Sequence, residues 1–568
     1  MSDKHPVNVA AHLRQMAERH PFKRAVVCPT GRDRAGRVAY THLTFRQLDQ
    51  ESDRIAHGLE GAGIRRQTRT ILMVRPSLEF FALTFALFKV GAVPVVVDPG
   101  MGLRRMMACF GESRPEAFIG IPAAHLLRTV YPRFFRTVKA WVTVGRRWCW
   151  GGATFEQLRR RPWTAYPAAR TTADETAAIL FTTGSTGPAK GVVYTHGIFD
   201  AQVRRIGEHF RIGPDEIDLP TFPLFALFDP ALGMTAVIPE MDPTRPAQAD
   251  PTKIIEAVLD QGVTNMFASP ALLHRVGAFG RRHGVRLPSL RRVVSAGAPV
   301  APANIEQFAA LLEDPGRIHT PYGATEAVPA ISITGDEILS ETRGLTEQGF
   351  GICVGRPLDG ITARIIRILD EPINRWSNKL VLPDGEIGEI TVSGDLVTRE
   401  YFERPVETAL AKIAGDGRFW HRMGDLGWQD KKGRIWFCGR KSHRVITARG
   451  PLFTIPCEAI FNRHPAVFRS ALVGVGSPPH QRPVICVELA PGLQNADREQ
   501  LEREILALGA EHVHTRQIGA LLFHPGFPVD IRHNAKIFRE KLAVWAAGRV
   551  RVETVKAPEG TPSKKEEA

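Results

Sequence analysis

Between Phe181 and Val192 the chain reads Thr182-Thr183-Gly184-Ser185-Thr186-Gly187-Pro188-Ala189-Lys190-Gly191, with three glycines, four hydroxyl side chains and one lysine. Glycine lets a backbone turn tightly and approach a ligand, so main-chain N–H groups and hydroxyls can converge on anionic oxygens while a lysine supplies countercharge. That combination suits a polyphosphate cradle. It is not a Walker A loop, because Pro188 and Ala189 separate Gly187 from Lys190 and a glycine follows the lysine. It also lacks the glycine spacing of the dinucleotide fingerprint. Taken alone, a Gly/Ser/Thr run of this kind is most often a surface turn.

Four later segments change that reading. They are Tyr322-Gly323-Ala324-Thr325-Glu326, His421-Arg422-Met423-Gly424-Asp425, Gly439-Arg440-Lys441-Ser442 and Asn534-Ala535-Lys536-Ile537-Phe538-Arg539. With the cradle and these segments in order, the chain resembles the adenylate-forming superfamily of acyl-CoA synthetases, peptide-synthetase adenylation domains and luciferases. The resemblance runs over about residues 8 to 548.

It implies ATP and Mg²⁺ as cofactors. Thr182, Thr183, Gly184, Ser185, Thr186, Gly187 and Lys190 would hold the triphosphate. Tyr322 would stack on adenine beside Gly323 and the Gly297-Ala298-Pro299 loop, and Thr325 would contact the α-phosphate. Glu326 would help hold the metal, which as a hard cation prefers carboxylate and phosphate oxygens. Asp425 would accept from the ribose hydroxyls, Arg440 and Ser442 correspond to the arginine and interdomain hinge, and Lys536 corresponds to the lysine that reaches the site during adenylation. The expected catalytic set is therefore Lys536, Thr186, Lys190, Glu326 and Arg440. The chain departs from the family pattern in the order of Pro188 and Ala189, at His421 and Met423 in place of tyrosine and threonine, and at Ala535 in place of glycine.

The implied reaction is attack of a substrate carboxylate on the α-phosphate of ATP, giving an acyl-adenylate and pyrophosphate. Such chemistry needs charge neutralisation more than an enzyme nucleophile. Segment 218–251 should carry the choice of acid. Pro223-Leu224-Phe225 is followed by Ala226, where CoA ligases often have histidine, and Phe225, Ala226 and Phe228 together suggest an apolar acyl pocket. This segment, with 295–300 and 527–545, resembles the olefin β-lactone synthetases of bacterial long-chain hydrocarbon biosynthesis. The resemblance implies activation of a long-chain 2-alkyl-3-hydroxyalkanoic acid, whose β-hydroxyl then closes a β-lactone and releases AMP. An internal nucleophile has an effective molarity on the order of 10⁵ M or more, so no thiol acceptor is required. A medium- or long-chain acyl-CoA or acyl-carrier ligase, and a non-catalytic nucleotide-binding or scaffold protein, stay open as alternatives. The partner expected is a hydrophobic β-hydroxy carboxylic acid, with room for other enzymes of olefin biosynthesis.

The surrounding sequence must position these groups. With 568 residues the chain is too long for one core. Repeated strand–helix–strand rhythm, as in 70–74, Ser77 to Lys89 and 93–97, predicts parallel pairing with helices on both faces. From Ile361 the texture turns β-rich, with strands at 363–369, 389–393 and 434–437. The expected fold class is α/β: a large layered N-terminal domain with mixed sheets and a β-rich subdomain over 1–440, then a small mobile α+β domain over 441–550 with helices at 498–508 and 536–547. Residues 551–568 read as a polar, frayed tail.

Seven cysteines without a Cys-x-x-Cys motif read as reduced thiols in a cytoplasmic protein. The apolar run 80–97, broken by Lys89, Gly91 and Pro94, reads as a buried helix and strand rather than a membrane span. The net charge of +15 is spread thinly and lacks a nucleic-acid motif, which argues against nucleic acid and leaves at most peripheral membrane association.

Overall fold

The computed structural model describes residues 6–160, 162–182, 188–415, 417–493, 495–529 and 537–550. The tail expected over 551–568 lies outside them. Two compact units divide after Ser442: one holds the residues up to that point, the other His443–Pro528 and the residues from Ile537 onward. The division falls two residues beyond the expected boundary between 440 and 441.

The first unit is built on three sheets. One is seven-stranded in the order Ala153–Thr154, Ala140–Thr143, Ala117–Gly120, Arg69–Met73, Val93–Val97, Thr176–Thr182 and Lys190–Thr195. Every neighbouring pair in it is parallel except the last, an antiparallel hairpin. Its strands are apolar runs because helices cover them. Helix Leu78–Val90 shows why the run 80–97 looked membrane-like: Ser77 accepts from the Phe80 N–H at its start, and Phe80 through Val90 are all buried. Lys89 sits within this core because Asp49 and Asp53 each bind its amine at 2.6 Å. Among the described residues no helix is long and apolar enough to cross a membrane.

The second sheet runs Ile318–His319, Arg292–Ser295, Asn265–Ala268, Ile217–Pro220, Thr235–Val237, Arg24–Arg32 and Val38–Thr44. Its first six strands are parallel, so the loops after Pro220, Ser295 and His319 leave at one edge. Carboxyl ends of parallel strands are where open α/β sheets bind ligands. The third sheet is antiparallel and holds the β-rich region, from Tyr322–Ala324 through Phe419–Gln429 to Ile435–Arg440.

His196 opens helix His196–Phe210 with no exposed surface, its Nδ1 accepting from the Val9 N–H at 3.3 Å. Burial pushes this imidazole down to about 4, against the pull of Glu175. Its folded-state value lies below the unfolded one, so its contribution is complete above about pH 6.5 and is lost as the pH falls through about 4. The loss is expected to be on the order of 3 kcal/mol. Urea unfolding midpoints across that range should fall steeply for the wild type and less steeply for His196→Gln; parallel slopes would contradict the assignment.

The second unit packs helices Thr454–Phe461, Arg498–Ala510 and Arg539–Ala547 with a sheet of Val467–Val475, Arg482–Leu489 and Leu521–Phe523. The last helix begins at Arg539 rather than at 536. The Phe538 N–H donates to Pro528 O at 2.9 Å, which takes that residue out of helical pairing. Arg539 turns inward to Glu458 at 2.6 Å, so this residue of the fifth motif anchors the unit's core.

Candidate active site

The cradle sequence lies between two paired strands. Strands Thr176–Thr182 and Lys190–Thr195 pair antiparallel with Thr182 opposite Lys190. Thr183, Gly184, Ser185, Thr186 and Gly187 lie outside the described residues, as do Asn534, Ala535 and Lys536. Pro188 is exposed and Ala189 packs against the core formed by Ile179, Phe181 and their neighbours. The swapped pair thus presents the smaller residue to the interior.

Lys190 leads to the second motif through a residue that no motif contains. Its Nζ lies 4.9 Å from the centre of the Tyr401 ring, and the Phe402 N–H donates to Gly191 O at 2.7 Å. The Tyr401 hydroxyl donates to Glu326 Oε1. Glu326 itself occupies the turn of a tight hairpin, Tyr322–Ala324 with Ala327–Ser332, and its carbonyl accepts from the Thr398 N–H at 2.9 Å. Only glycine fits at 323, since a Cβ would come within 2.6 Å of the Ala327 carbonyl oxygen. The Thr325 carbonyl accepts from the Tyr194 hydroxyl.

The same hairpin reaches the third and fourth motifs. The Tyr322 hydroxyl donates to Asp425 Oδ2 at 2.7 Å, and Arg440 Nη1 lies 3.1 Å from Asp425 Oδ1. Asp425 and Arg440 face each other across neighbouring strands, so the ladder itself sets their distance. Burial, and then the Asp425 carboxylate, push the Tyr322 hydroxyl well above its ordinary range, which keeps it a donor. Asp425 in turn holds the Arg440 guanidinium charged. The unusual Met423 is explained by packing: its side chain is buried in the core, and its carbonyl accepts from Arg440 at 3.2 Å.

Two buried groups complete this cluster. Lys412 is opposite His421 in the ladder, its Nζ 3.1 Å from Thr398 Oγ1 and 6.0 Å from the Tyr401 ring centre. Burial pushes this amine down to about 7, with Glu326 pulling the other way. Burial and the nearby Lys412 charge hold His421 well below its usual range, so it is a neutral imidazole. Sequence reasoning missed Tyr401, Thr398 and Lys412. The only sign was a lysine inside the apolar run 409–413.

Gly297-Ala298-Pro299 leaves the strand Arg292–Ser295 beside Ile318–His319, with Val294 opposite His319. Gly297, at φ 97°, and Tyr322 are each three residues beyond that pair, on the same sheet edge. The acyl-pocket candidates follow Pro220 at this edge. Phe225 meets Phe267 at 4.4 Å with the rings tilted by 37° and Phe228 meets Phe199 at 6.3 Å, both half-buried, whereas Ala226 has no exposed surface and packs in the core.

Taken together, hydrogen bonds and ring contacts connect four of the five motifs within one unit: Lys190 to Tyr401 to Glu326, and from the same hairpin Tyr322 to Asp425 to Arg440. Cations and carboxylates linked in this way to an aromatic ring can receive a nucleotide and its phosphates.

Residues 13–402 match the family model described as AMP-binding enzyme. The chain is 51% identical over 547 residues to the olefin beta-lactone synthetase of Xanthomonas campestris pv. campestris, covering 95% of this chain and 97% of that protein. It is likewise 51% identical over 554 residues to the olefin beta-lactone synthetase of Stenotrophomonas maltophilia, covering 96% and 99%. Its fold is similar to that of ATP-bound MatB from Rhodopseudomonas palustris, with a TM-score of 0.76 at 20% identity over 95% of this chain and 99% of that one.

Proposed function

The chain belongs to the AMP-binding enzyme family, and from that premise we propose that it converts a long-chain 2-alkyl-3-hydroxyalkanoic acid to a β-lactone at the expense of ATP. The observation that carries this reading is the near full-length likeness to two olefin beta-lactone synthetases. The contacts among Lys190, Glu326, Tyr322, Asp425 and Arg440 support it.

In the first step a carboxylate oxygen of the acid attacks the α-phosphorus, the bond to the β-phosphate breaks, and pyrophosphate leaves. Thr182 to Gly187 and Lys190 hold the phosphates, Tyr322 with Gly323 and the Gly297 loop hold adenine, and Asp425 holds the ribose. Stabilising the charge that develops on the α-phosphate is assigned to Thr325, Arg440 and Lys536. Mg²⁺ would neutralise phosphate charge; Glu326, a carboxylate already oriented by Tyr401, fits as its protein ligand. In the second step the β-hydroxyl oxygen attacks the acyl carbon, the hydroxyl proton is lost, and AMP departs with one former carboxylate oxygen. Proximity drives this closure.

We assign ATP and acid binding to the larger domain, 1–440, and the part of a mobile lid carrying Lys536 to the C-terminal domain, 441–550. Phe225 and Phe228 are assigned to the acyl side, with Ala226 in the core behind them. We place the reaction in the cytoplasm, which seven free thiols support, and read other enzymes of olefin biosynthesis as its neighbours.

The test is incubation with ATP, Mg²⁺ and a β-hydroxy acid, with and without CoA, followed by NMR of the products. A β-lactone with stoichiometric AMP, independent of CoA, is expected. A CoA-dependent thioester would make the protein an acyl-CoA ligase, and no AMP would leave it a nucleotide-binding scaffold.

A further inference from the structure

From Ala117 to Phe155 the chain contains no aspartate, glutamate, asparagine, glutamine or serine, yet it contains Arg128, Arg133, Arg136, Lys139, Arg146 and Arg147. This segment is one piece of the fold. It supplies the strands Ala117–Gly120, Ala140–Thr143 and Ala153–Thr154, which close one edge of the first sheet, and the helix Pro122–Val130. Among the described residues none of the six cations has an ion-pair partner, in a protein whose other arginines are widely paired.

The segment also exposes apolar side chains that a solvated surface would hide. Val130 is 65% exposed, Trp148 51% and Leu126 42%. Trp148 stands at the tip of the loop after Thr143, directly beside the exposed Arg146 and Arg147. The loop is braced from behind. Trp150 lies 5.3 Å from Trp148, donates from its indole to Thr143 Oγ1 at 3.0 Å, and stacks 5.3 Å from the buried His125. The Arg128 guanidinium sits 4.4 Å from the Trp141 ring centre and 5.5 Å from that of Trp150. An exposed tryptophan next to two exposed arginines is thus backed by the ring of Trp150, and Arg147 is tied to the Gly152 carbonyl.

We propose that this sheet edge docks on an anionic phospholipid surface, with Arg146 and Arg147 at the headgroup phosphates and Trp148 entering the interface. Unpaired arginines are drawn to anionic leaflets, and tryptophan settles at the headgroup level because one part of it is apolar and one part donates. An acidic protein would satisfy the charge alone. The absence of amide and serine side chains argues against a specific protein interface, whose rim is polar and hydrogen-bonded. The inference rests on this surface and stands whether or not the lactone reading holds.

The full chain is sedimented with vesicles of phosphatidylcholine, or of phosphatidylcholine and phosphatidylglycerol in equal parts, at low and high salt. Binding is expected only to the anionic vesicles and should weaken with salt. Both Arg146→Glu with Arg147→Glu and, separately, Trp148→Ser should weaken it about tenfold or more. Arg281→Glu with Arg282→Glu makes the same charge change on exposed positions of helix Pro270–Arg282 and should stay within about twofold of wild type. Thermal unfolding and AMP release with a soluble acid check that each variant is folded, with Arg146→Gln and Arg147→Gln as milder replacements. Failure of the wild type to bind anionic vesicles would overturn the proposal. So would wild-type binding by Trp148→Ser, or equal loss in the 281/282 variant. Capture of soluble poly-glutamate as tightly as vesicles would assign the surface to an acidic protein and overturn it too.

Discussion

Lys536→Ala is expected to slow acyl-adenylate formation by about 10²- to 10³-fold, the usual consequence of removing one preorganised group from a developing charge in a water-poor site. The α-phosphate gains charge as the carboxylate attacks and before pyrophosphate has left, so an ammonium there stabilises the transition state more than the ground state. ATP affinity should therefore change little. Pyrophosphate release in a single turnover reads the effect, and an unchanged thermal transition shows that the fold is intact. The second step makes no use of this charge, so the variant supplied with preformed acyl-adenylate should form lactone at close to the wild-type rate. Undiminished pyrophosphate release would remove Lys536 from the chemistry.

Asp425→Ala should act on binding instead. The carboxylate accepts from Tyr322 at 2.7 Å and pairs with Arg440 at 3.1 Å, and its side chain is 7% exposed. If ribose hydroxyls donate to the same group, charge-assisted hydrogen bonds are lost together, each about 1.5–3 kcal/mol. The apparent affinity for ATP should fall by about 10²-fold. Stability should fall as well, because Tyr322 and Arg440 lose a shared partner. Asp425→Asn separates the two effects, as it keeps the shape and one acceptor while removing the charge. Equilibrium titration with ATP and a thermal melt on both variants suffice; an ATP affinity equal to that of the wild type would take Asp425 out of the ribose site.

Local patterns carried much of this architecture. Ser77 and Gly91 bracket a helix at 78–90, and valines 93, 95, 96 and 97 form a strand, because caps and β-branched runs act over a few residues. The change of texture near Ile361 is likewise the antiparallel sheet of Thr362–Ile366 and Gly388–Ser393. The contacts that local patterns do not encode are polar and join distant residues. Tyr401 meets Glu326 across 75 positions of sequence, and Lys412 reaches Thr398 across 14 by a side-chain hydrogen bond. No local rule reports such contacts. The helix starts at Arg539 because a bond from Phe538 to Pro528, made by tertiary packing, overrides the apolar period that continues back to 536. Departures from the family pattern have packing reasons where they are described: Met423 fills a core position, and Ala189 faces inward.

The central claim is that the carboxylate is activated and the β-hydroxyl closes the ring. Oxygen labelling tests it most directly. A β-hydroxy acid carrying ¹⁸O only in its hydroxyl is turned over with ATP, and the label is traced by mass spectrometry. The account predicts the label entirely in the ring oxygen of the lactone and none in AMP, with carboxylate label appearing in AMP in the converse experiment. Hydroxyl label found in AMP would mean that the hydroxyl had been activated and the carboxylate had attacked the β-carbon, and would contradict the account.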